Sequence, residues 1–314
     1  MDQEIMLIDN STIKSYKRCF YYGYFRHDLD WTSDATLAMN TGSAIHSGCD
    51  AIWAHCKDGI SPRDLAEIGI QAMLIKWEEL GYSTKLTPAE EEEMSPRTPG
   101  IIAEILLNYV NVRWDFLQRI QVLEIEQPFI VPLDPSDPNL FYVGRPDKVY
   151  EDHGSIYVLD HKSTSLYSIK EGIQRRWINQ WCPDAQIDGY IHALHMKYGN
   201  KARGAYIDGL LVHKKHHDIF QFVPILRDEE HISSWLSDTL YWVNEIKKAR
   251  GTGIYPRNTE GCMDQYGNLC TYRDACIGYG RVTKETLPPS HLRIEKWEPY
   301  DLDEIRQAIA KQGV

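Results

Sequence analysis

Two runs of β-forming residues separated by a turn sequence limit most strongly how this chain can fold. Lys148 to Tyr150 and Ser155 to Leu159 are rich in β-branched and aromatic residues, and the turn formers Asp152-His153-Gly154 lie between them. A third run, Leu140 to Val143, precedes them and leads into Gly144 and Pro146. These last two residue types mark bulges or strand edges. The sequence therefore predicts a hairpin whose first strand is interrupted at Gly144 and Pro146.

Each of the two adjacent strands of this hairpin carries an aspartate. Asp147 follows the break, and Asp160 lies thirteen residues later at the end of the second strand. Lys162 shares a face with Asp160 because strand side chains alternate with a period of two. Two carboxylates bind Mg²⁺ or Mn²⁺ through oxygen, and an ammonium beside them can offset charge that builds up on a phosphate. The pattern predicts metal-assisted phosphodiester chemistry; the alternative is two strand-end acids with a solvated lysine.

Three further stretches accompany the Asp160-His161-Lys162 triplet. They are Gly42-Ser43-Ala44-Ile45-His46, Gly144-Arg145-Pro146-Asp147 and Gln186-Ile187-Asp188-Gly189-Tyr190. Their order and intervals, over about residues 10 to 280, resemble the PD-(D/E)XK nuclease superfamily and, within it, the RecB-like branch. The triplet matches the D-x-K signature of that family, and the last stretch matches its Q-x-x-x-Y motif.

The resemblance implies a role for each motif residue. His46, Asp147 and Asp160, with the backbone carbonyl of His161, would hold Mg²⁺ or Mn²⁺, and Lys162 would be the catalytic lysine. Gln186 and Tyr190, one helical turn apart, would face the DNA or the active-site lysine and acids. Taken alone, His46 would be interpreted as an ordinary helix histidine, and Gln186 with Tyr190 as part of a helix surface; the joint occurrence of the motifs favours function.

We expect an α/β fold with a restriction-endonuclease-like core, in which helices flank a mixed central β-sheet. An N-terminal helical lobe and a C-terminal cysteine-rich segment would be added to this core. The predicted ranges, within one integrated domain, are a helical lobe over residues 1–120, the nuclease core over 121–250, and a cysteine-rich segment with a C-terminal helix over 251–314. Hydrophobic spacing predicts helices near 11–26, 41–57, 61–81, 97–119, 183–198, 229–250 and 301–311, a sheet within 121–162, and strands near 204–213 and 218–224.

The seven cysteines do not suggest a disulfide framework. Nothing like a secretory signal opens the chain, and a 314-residue intracellular protein has an adequate core and lives among reduced thiols. We therefore expect a cytoplasmic protein that does not associate with membranes. Cys49, Cys56 and Cys182 are interpreted as small buried residues in helices or at their edges.

The remaining four cysteines suggest a metal site. Cys262, Cys270 and Cys276 crowd into a polar, turn-rich stretch, whereas Cys19 lies far upstream. This arrangement resembles the iron-sulfur staple of several RecB-like nucleases, including CRISPR-associated and helicase-linked members, and implies a [4Fe-4S] cluster on these four thiolates. The seven residues between Cys262 and Cys270 depart from the family, which usually has two at that point. Zn²⁺ on four cysteines is the alternative.

The formal net charge of −11 is unusual for a protein that would bind DNA through counterion release. Local basic segments exist at Arg175-Arg176, from Lys197 to Arg203 and from His213 to His217, where they would contact phosphates or form polar surface.

The family resemblance implies a metal-dependent DNase, acting chiefly as an exonuclease on single-stranded DNA or DNA ends. The chain has no GxxxxGK[ST] phosphate loop, so a helicase or recombinase would be a separate partner. Ring-forming exonucleases of the superfamily leave a homo-oligomer open. Two other classes stay open: a catalytically quiet iron-sulfur or zinc DNA-binding scaffold of a recombination or repair complex, and a zinc-stabilised interaction protein.

Overall fold

The computed structural model of the protein describes residues 5–263, 267–278, 280 and 282–296. Within them, the α-helices are α1 Asn10–Arg18, α2 Phe20–Gly23, α3 Leu37–His55, α4 Pro62–Glu79, α5 Pro88–Met94, α6 Pro99–Arg119, α7 Arg175–Asn179, α8 Ala185–Tyr198, α9 Glu229–Thr252 and α10 Arg273–Gly278. A π-helix follows α2 at Tyr24–Asp28, and short 3-10 helices lie at Gly199–Lys201 and Thr259–Cys262. The strands are β1 Met6–Ile8, β2 Trp31–Thr32, β3 Gln121–Ile125, β4 Phe129–Pro132, β5 Leu140–Gly144, β6 Lys148–Asp152, β7 Ser155–Thr164, β8 Tyr167–Ser168, β9 Gly172–Ile173, β10 Ala202–Leu211, β11 Phe220–Leu226 and β12 Arg293–Ile294. The helix expected over 301–311 lies outside the described residues.

The chain divides into two compact units that interleave along the sequence. We call Ala35–Gln127 with Arg145–Ile232 the sheet unit, and we call Met1–Asp34, Pro128–Gly144 and Ser233–Val314 the cysteine unit. The boundaries at residues 120 and 250 that the sequence suggested stay a prediction. In the described part of the chain, no helix is both long enough and apolar enough to cross a membrane.

A five-stranded mixed sheet in the order β11-β10-β7-β6-β3 forms the centre of the sheet unit. β7 and β10 are parallel, and the other neighbouring pairs are antiparallel. The hairpin predicted from the sequence is formed by β6 and β7, where Asp152 pairs with Ser155 across a two-residue turn. His153 and Gly154 both have positive φ, of 51° and 79°. Two such residues in a two-residue loop match the right-handed twist of the flanking strands.

Helices α3, α4 and α6 pack against this sheet through one hydrophobic core. Each helix begins with a hydroxyl residue that accepts a backbone hydrogen bond, namely Thr36, Ser61 and Thr98. The core contains Trp53, Trp77 and Tyr109 from the helices and Tyr150, Leu159 and Leu210 from strands β6, β7 and β10. Helix α8 contacts β7 and β10. The expected α/β architecture, a mixed central sheet flanked by helices, is confirmed.

The cysteine unit contains a second sheet, in the order β1-β5-β4. The expectation of a single sheet within residues 121–162 is therefore wrong, because β5 pairs with β4 and β1 and does not extend β6 as the interrupted first strand of the hairpin. The break after Gly144 explains the division, since Pro146 has no N–H with which to continue a ladder. An aromatic cluster that includes Phe25, Trp31 and Tyr272 forms a further core in this unit.

Candidate active site

Asp147 is held by two residues at the start of strand β6. His46, on helix α3, places its Nδ1 at 3.2 Å from Oδ2 of Asp147. The backbone N–H of His161, on the neighbouring strand β7, donates to the same oxygen at 2.7 Å. Hydrogen bonds of this kind to a buried carboxylate favour its ionised form. The structure thus brings two of the predicted metal-binding side chains into direct contact.

Strand alternation separates the three residues of the Asp160-His161-Lys162 triplet. Lys162 Nζ lies 2.5 Å from Asp160 Oδ2, as expected for side chains on one face of β7. The imidazole of His161 points to the other face, where its Nε2 lies 2.9 Å from the hydroxyl of Tyr109. Burial lowers the pKa of His161 far below its ordinary value, so its ring is neutral. The side chain of His161 therefore belongs to the core, and the ligand role of its backbone carbonyl stays a prediction.

The charges at this site are strongly coupled. Burial opposes ionisation of Asp147, but the neighbouring positive charges of His46 and Lys162 outweigh it, so the pKa of Asp147 lies well below its usual value. Burial raises the pKa of Asp160 to about 6, although Lys162 counteracts this. Burial works against protonation of His46 and Lys162, yet Asp147 and Asp160 raise the pKa of each above its ordinary value. Asp147 therefore loses its proton at a much lower pH than Asp160 does.

Glu126 is a member of the site that the sequence did not reveal. It follows strand β3 with φ of 51°, and its N–H donates to the backbone carbonyl of Asp147 at 2.9 Å. Ligand atoms of Glu126, His46 and Asp147 all lie within 4.8 Å of one another. Burial, followed by the charge of Asp147, raises the pKa of Glu126 to about 7, and Arg145 Nε pairs with its Oε2 at 2.9 Å. Only the pairing of β3 with β6, in which Ile125 faces Lys148, brings this glutamate beside Asp147.

These three side chains suit a hard divalent cation. Two carboxylates and one imidazole converge, and carboxylate oxygens are the protein ligands that Mg²⁺ and Mn²⁺ prefer. Among the described residues, this trio is the group whose ligand atoms converge, whereas the Asp160 carboxylate is paired with Lys162. The geometry therefore adds Glu126 to His46 and Asp147 as a candidate metal ligand.

Gln186 and Tyr190 lie one turn apart on α8, as the sequence predicted. Asp184 caps this helix by accepting from the N–H groups of Gln186 and Ile187. Gln186 Nε2 donates to the Tyr190 hydroxyl at 2.8 Å, and that hydroxyl donates to the backbone carbonyl of Arg145 at 3.1 Å. The motif thus supports the short segment that leads into Asp147.

All seven cysteines lie among the described residues, and none of them forms a disulfide. Cys19, Cys270 and Cys276 are half-buried against the aromatic cluster of the cysteine unit, and Cys262 is exposed. The N–H of Cys270 donates to the carbonyl of Cys262 at 2.8 Å, and the N–H of Asn258 donates to the sulfur of Cys19 at 3.3 Å.

The other cysteines bear out their interpretation in part. Cys49 and Cys56 are buried, as expected, in the core of the sheet unit. Cys182, however, is exposed, and the prediction for it is wrong. It lies in the connection between α7 and α8, and Arg227 Nη1 lies 3.6 Å from its sulfur. A connecting segment offers less apolar cover than a helix interior.

Comparison with known proteins agrees with this geometry. A model of the PD-(D/E)XK nuclease superfamily matches residues 10–277. The chain belongs to the PD-(D/E)XK nuclease superfamily. The crystal structure of a "putative exonuclease" from Eubacterium rectale superposes with a TM-score of 0.51 at 15% identity, covering 90% of this chain and 91% of the other. Nineteen chains of solved structure match significantly. No curated protein matches at the same level of significance. At 15% identity the structural likeness shows the fold, and the family model shows the superfamily.

Proposed function

We propose that this member of the PD-(D/E)XK superfamily is a metal-dependent deoxyribonuclease whose site consists of His46, Glu126, Asp147, Asp160 and Lys162. The observation that carries the proposal is the convergence of His46, Glu126 and Asp147 beside a buried pair of opposite charges. A surface helix histidine or two strand-end acids would have no reason to converge in this way. The family match supports the same reaction class.

Each residue has a distinct task in this proposal. His46, Glu126 and Asp147 would hold a divalent cation, with Asp160 and the carbonyl of His161 as the further ligands that the family resemblance implies. A cation bound there would supply Lewis-acid polarisation of the scissile phosphodiester. Lys162 would offset negative charge that builds up on the phosphate, and Asp160 orients Lys162 through their 2.5 Å contact. Gln186 and Tyr190 would act as positioning residues through the backbone of Arg145.

The substrate we propose is single-stranded DNA or DNA ends, with exonuclease action. Support comes from the resemblance to RecB-like enzymes and from the Eubacterium rectale structure, which is described as a "putative exonuclease". A helicase or recombinase would be a separate partner in DNA recombination or repair.

We further propose that Cys19, Cys262, Cys270 and Cys276 bind a [4Fe-4S] cluster, with Zn²⁺ as the chemical alternative. Two observations support a shared site: three of these thiols contact the same aromatic cluster, and a backbone hydrogen bond joins Cys270 to Cys262. Iron, sulfide and zinc analysis of anaerobically purified protein tests this proposal. We expect brown protein with about four iron atoms per chain, since a cubane cluster has that composition. The Cys276→Ser variant should lose iron, and the Cys182→Ser variant should keep it.

Cleavage of end-labelled DNA tests the nuclease itself. Linear single-stranded, linear duplex and closed circular DNA would be incubated with Mg²⁺, Mn²⁺ or chelator. We expect metal-dependent degradation that spares circles and is lost in Lys162→Ala. Lys170→Ala is the matched control because Lys170 is an exposed lysine of the same unit. Absence of cleavage by folded, metal-loaded wild-type protein would refute the enzyme and favour the DNA-binding scaffold.

The role of Glu126 can be tested without catalysis. Calorimetric titration of Mn²⁺ into Glu126→Gln should show weaker binding, since the amide keeps the shape of the side chain but loses the anionic donor. Glu171→Gln, at an exposed position of the same unit, should bind Mn²⁺ as the wild type does. Equal affinity in both variants would remove Glu126 from the site.

A further inference from the structure

A basic pocket in the cysteine unit stands out in a chain whose net charge is −11. It has a volume of about 320 Å³, and its lining includes three basic residues, Lys14, Arg18 and Arg26. Ser11 and Ser15 add hydroxyl groups to the same wall. No aspartate or glutamate is among the described residues that line it. We call it the Lys14 pocket.

The helical repeat of α1 produces this wall. Ser11, Lys14, Ser15 and Arg18 recur at intervals of three and four residues, so they share one face of the helix. Ile13 and Tyr16 are buried on another face. Lys14 and Arg18 are like charges one turn apart, an arrangement that is unfavourable by itself. An anionic ligand in the pocket would turn this repulsion into attraction.

The guanidinium of Arg18 is oriented before any ligand arrives. Its Nε donates to the backbone carbonyl of Gly261 at 3.1 Å, and its central carbon lies 4.7 Å from the ring centroid of Tyr22. Stacking on an aromatic ring leaves the edge of a guanidinium available for hydrogen bonding. A fixed guanidinium loses less side-chain entropy when it binds an oxyanion than a mobile one does.

His27, at the same pocket, is an uncharged neighbour of the basic residues. Burial and then the charges of Arg26 and Arg250 lower its pKa to about 3, so it is neutral and adds no charge. Its Nε2 lies 3.0 Å from the Ser15 hydroxyl. The neighbouring carboxylate of Asp28 is paired with Arg250 at 2.8 Å and accepts from Tyr16, so it is engaged by other partners.

We propose that the Lys14 pocket binds a backbone phosphate of nucleic acid. Arginine offers paired N–H donors that match phosphate oxygens, lysine adds a mobile positive charge, and serine hydroxyls complete the contacts. The inference rests on the proposed nuclease function for its source of phosphate. It assigns part of DNA binding to the cysteine unit, through charge and without base recognition.

Lys14→Ala and Lys17→Ala form a matched pair for testing this site. Both residues are exposed lysines of α1, but Lys17 Nζ lies 5.6 Å from the ring centroid of Trp242 and does not line the pocket. Binding of a fluorescent single-stranded oligonucleotide would be followed by anisotropy in chelator, which prevents cleavage, between 50 and 200 mM salt. Lys14→Arg tests whether the positive charge alone is sufficient.

The logarithm of the association constant falls linearly as the logarithm of the salt concentration rises. We expect Lys14→Ala to make this slope shallower by about 0.7, the value for one phosphate contact on a single strand. The ratio of the wild-type association constant to that of Lys14→Ala should then be about 2.6-fold smaller at 200 mM salt than at 50 mM salt. Lys17→Ala should keep the wild-type slope, and Lys14→Arg should restore it. An oligonucleotide with an uncharged methylphosphonate backbone should bind wild type and Lys14→Ala equally.

Equal slopes and affinities for Lys14→Ala and Lys17→Ala would overturn the pocket. If the wild type still degrades DNA and Lys162→Ala does not, that result leaves the nuclease standing. Failure of the wild type both to bind the oligonucleotide and to degrade DNA would remove both proposals.

Discussion

Replacing Lys162 with methionine should expose the energetic coupling within the site. Asp160 is almost completely buried, with 2% of its side chain exposed, and Lys162 Nζ is its partner at 2.5 Å. Removing one member of a buried ion pair typically costs about 3–5 kcal/mol, because the other charge is left uncompensated. We expect Lys162→Met to lose about this much free energy of unfolding at pH 8 in chelator.

The cost should depend on pH with a defined sign. Burial already raises the pKa of Asp160 to about 6 with Lys162 present, and loss of Lys162 raises it further. An acid whose pKa is higher in the folded state stabilises the fold at low pH and loses that contribution as pH rises. Between pH 6 and pH 8, Lys162→Met should therefore lose up to about 1.4 kcal/mol per pH unit relative to wild type. At pH 5 Asp160 is largely protonated, and the two proteins should differ far less.

A double-variant cycle separates this electrostatic cost from packing. Asp160→Asn with Lys162→Met removes both charges, so its stability should recover to within about 1 kcal/mol of wild type and lose the pH dependence. Urea unfolding followed by circular dichroism at pH 5, 6.5 and 8 measures the wild type, the single variants Lys162→Met and Asp160→Asn, and the double variant. Lys170→Met, at an exposed position, should stay within about 0.5 kcal/mol of wild type. A Lys162→Met variant as stable as the wild type at pH 8 would refute the buried pair.

Two predictions concern packing and acid stability. Gly48→Ala should destabilise the protein by about 1–3 kcal/mol, because the new methyl group would lie 2.5 Å from Leu106 and 3.0 Å from the carbonyl oxygen of Gly69. Gly100→Ala, in open space on α6, should instead stabilise the protein by up to about 1 kcal/mol. Thermal unfolding of both variants beside the wild type measures the two effects. Burial lowers the pKa of His27 to about 3 in the folded protein, so this histidine takes up a proton at a higher pH in the unfolded chain than in the folded one. The wild type should therefore lose stability as the pH falls from about 6.5 toward 3, by up to about 1.4 kcal/mol per pH unit. His27→Asn should show a shallower loss in acid urea titrations, and identical slopes would contradict the buried neutral state.

Local chemistry in the sequence determined a large part of the fold and of the site. The β6–β7 hairpin, its His153-Gly154 turn and the shared face of Asp160 and Lys162 all follow from strand propensity and from alternation over a few residues. The start of α4 at Ser61-Pro62 follows from capping in the same way. These features depend on neighbours in the chain, so short stretches of sequence are sufficient to predict them.

Long-range pairing decided the rest. Glu126 enters the site only because β3 pairs with β6 in one particular register, and His46 reaches Asp147 only because α3 packs on the sheet. The assignment of β5 to a second sheet and the exposure of Cys182 are likewise outcomes of packing. Register and helix packing depend on the fit of whole surfaces buried together, and no single stretch of sequence contains both partners of such a contact.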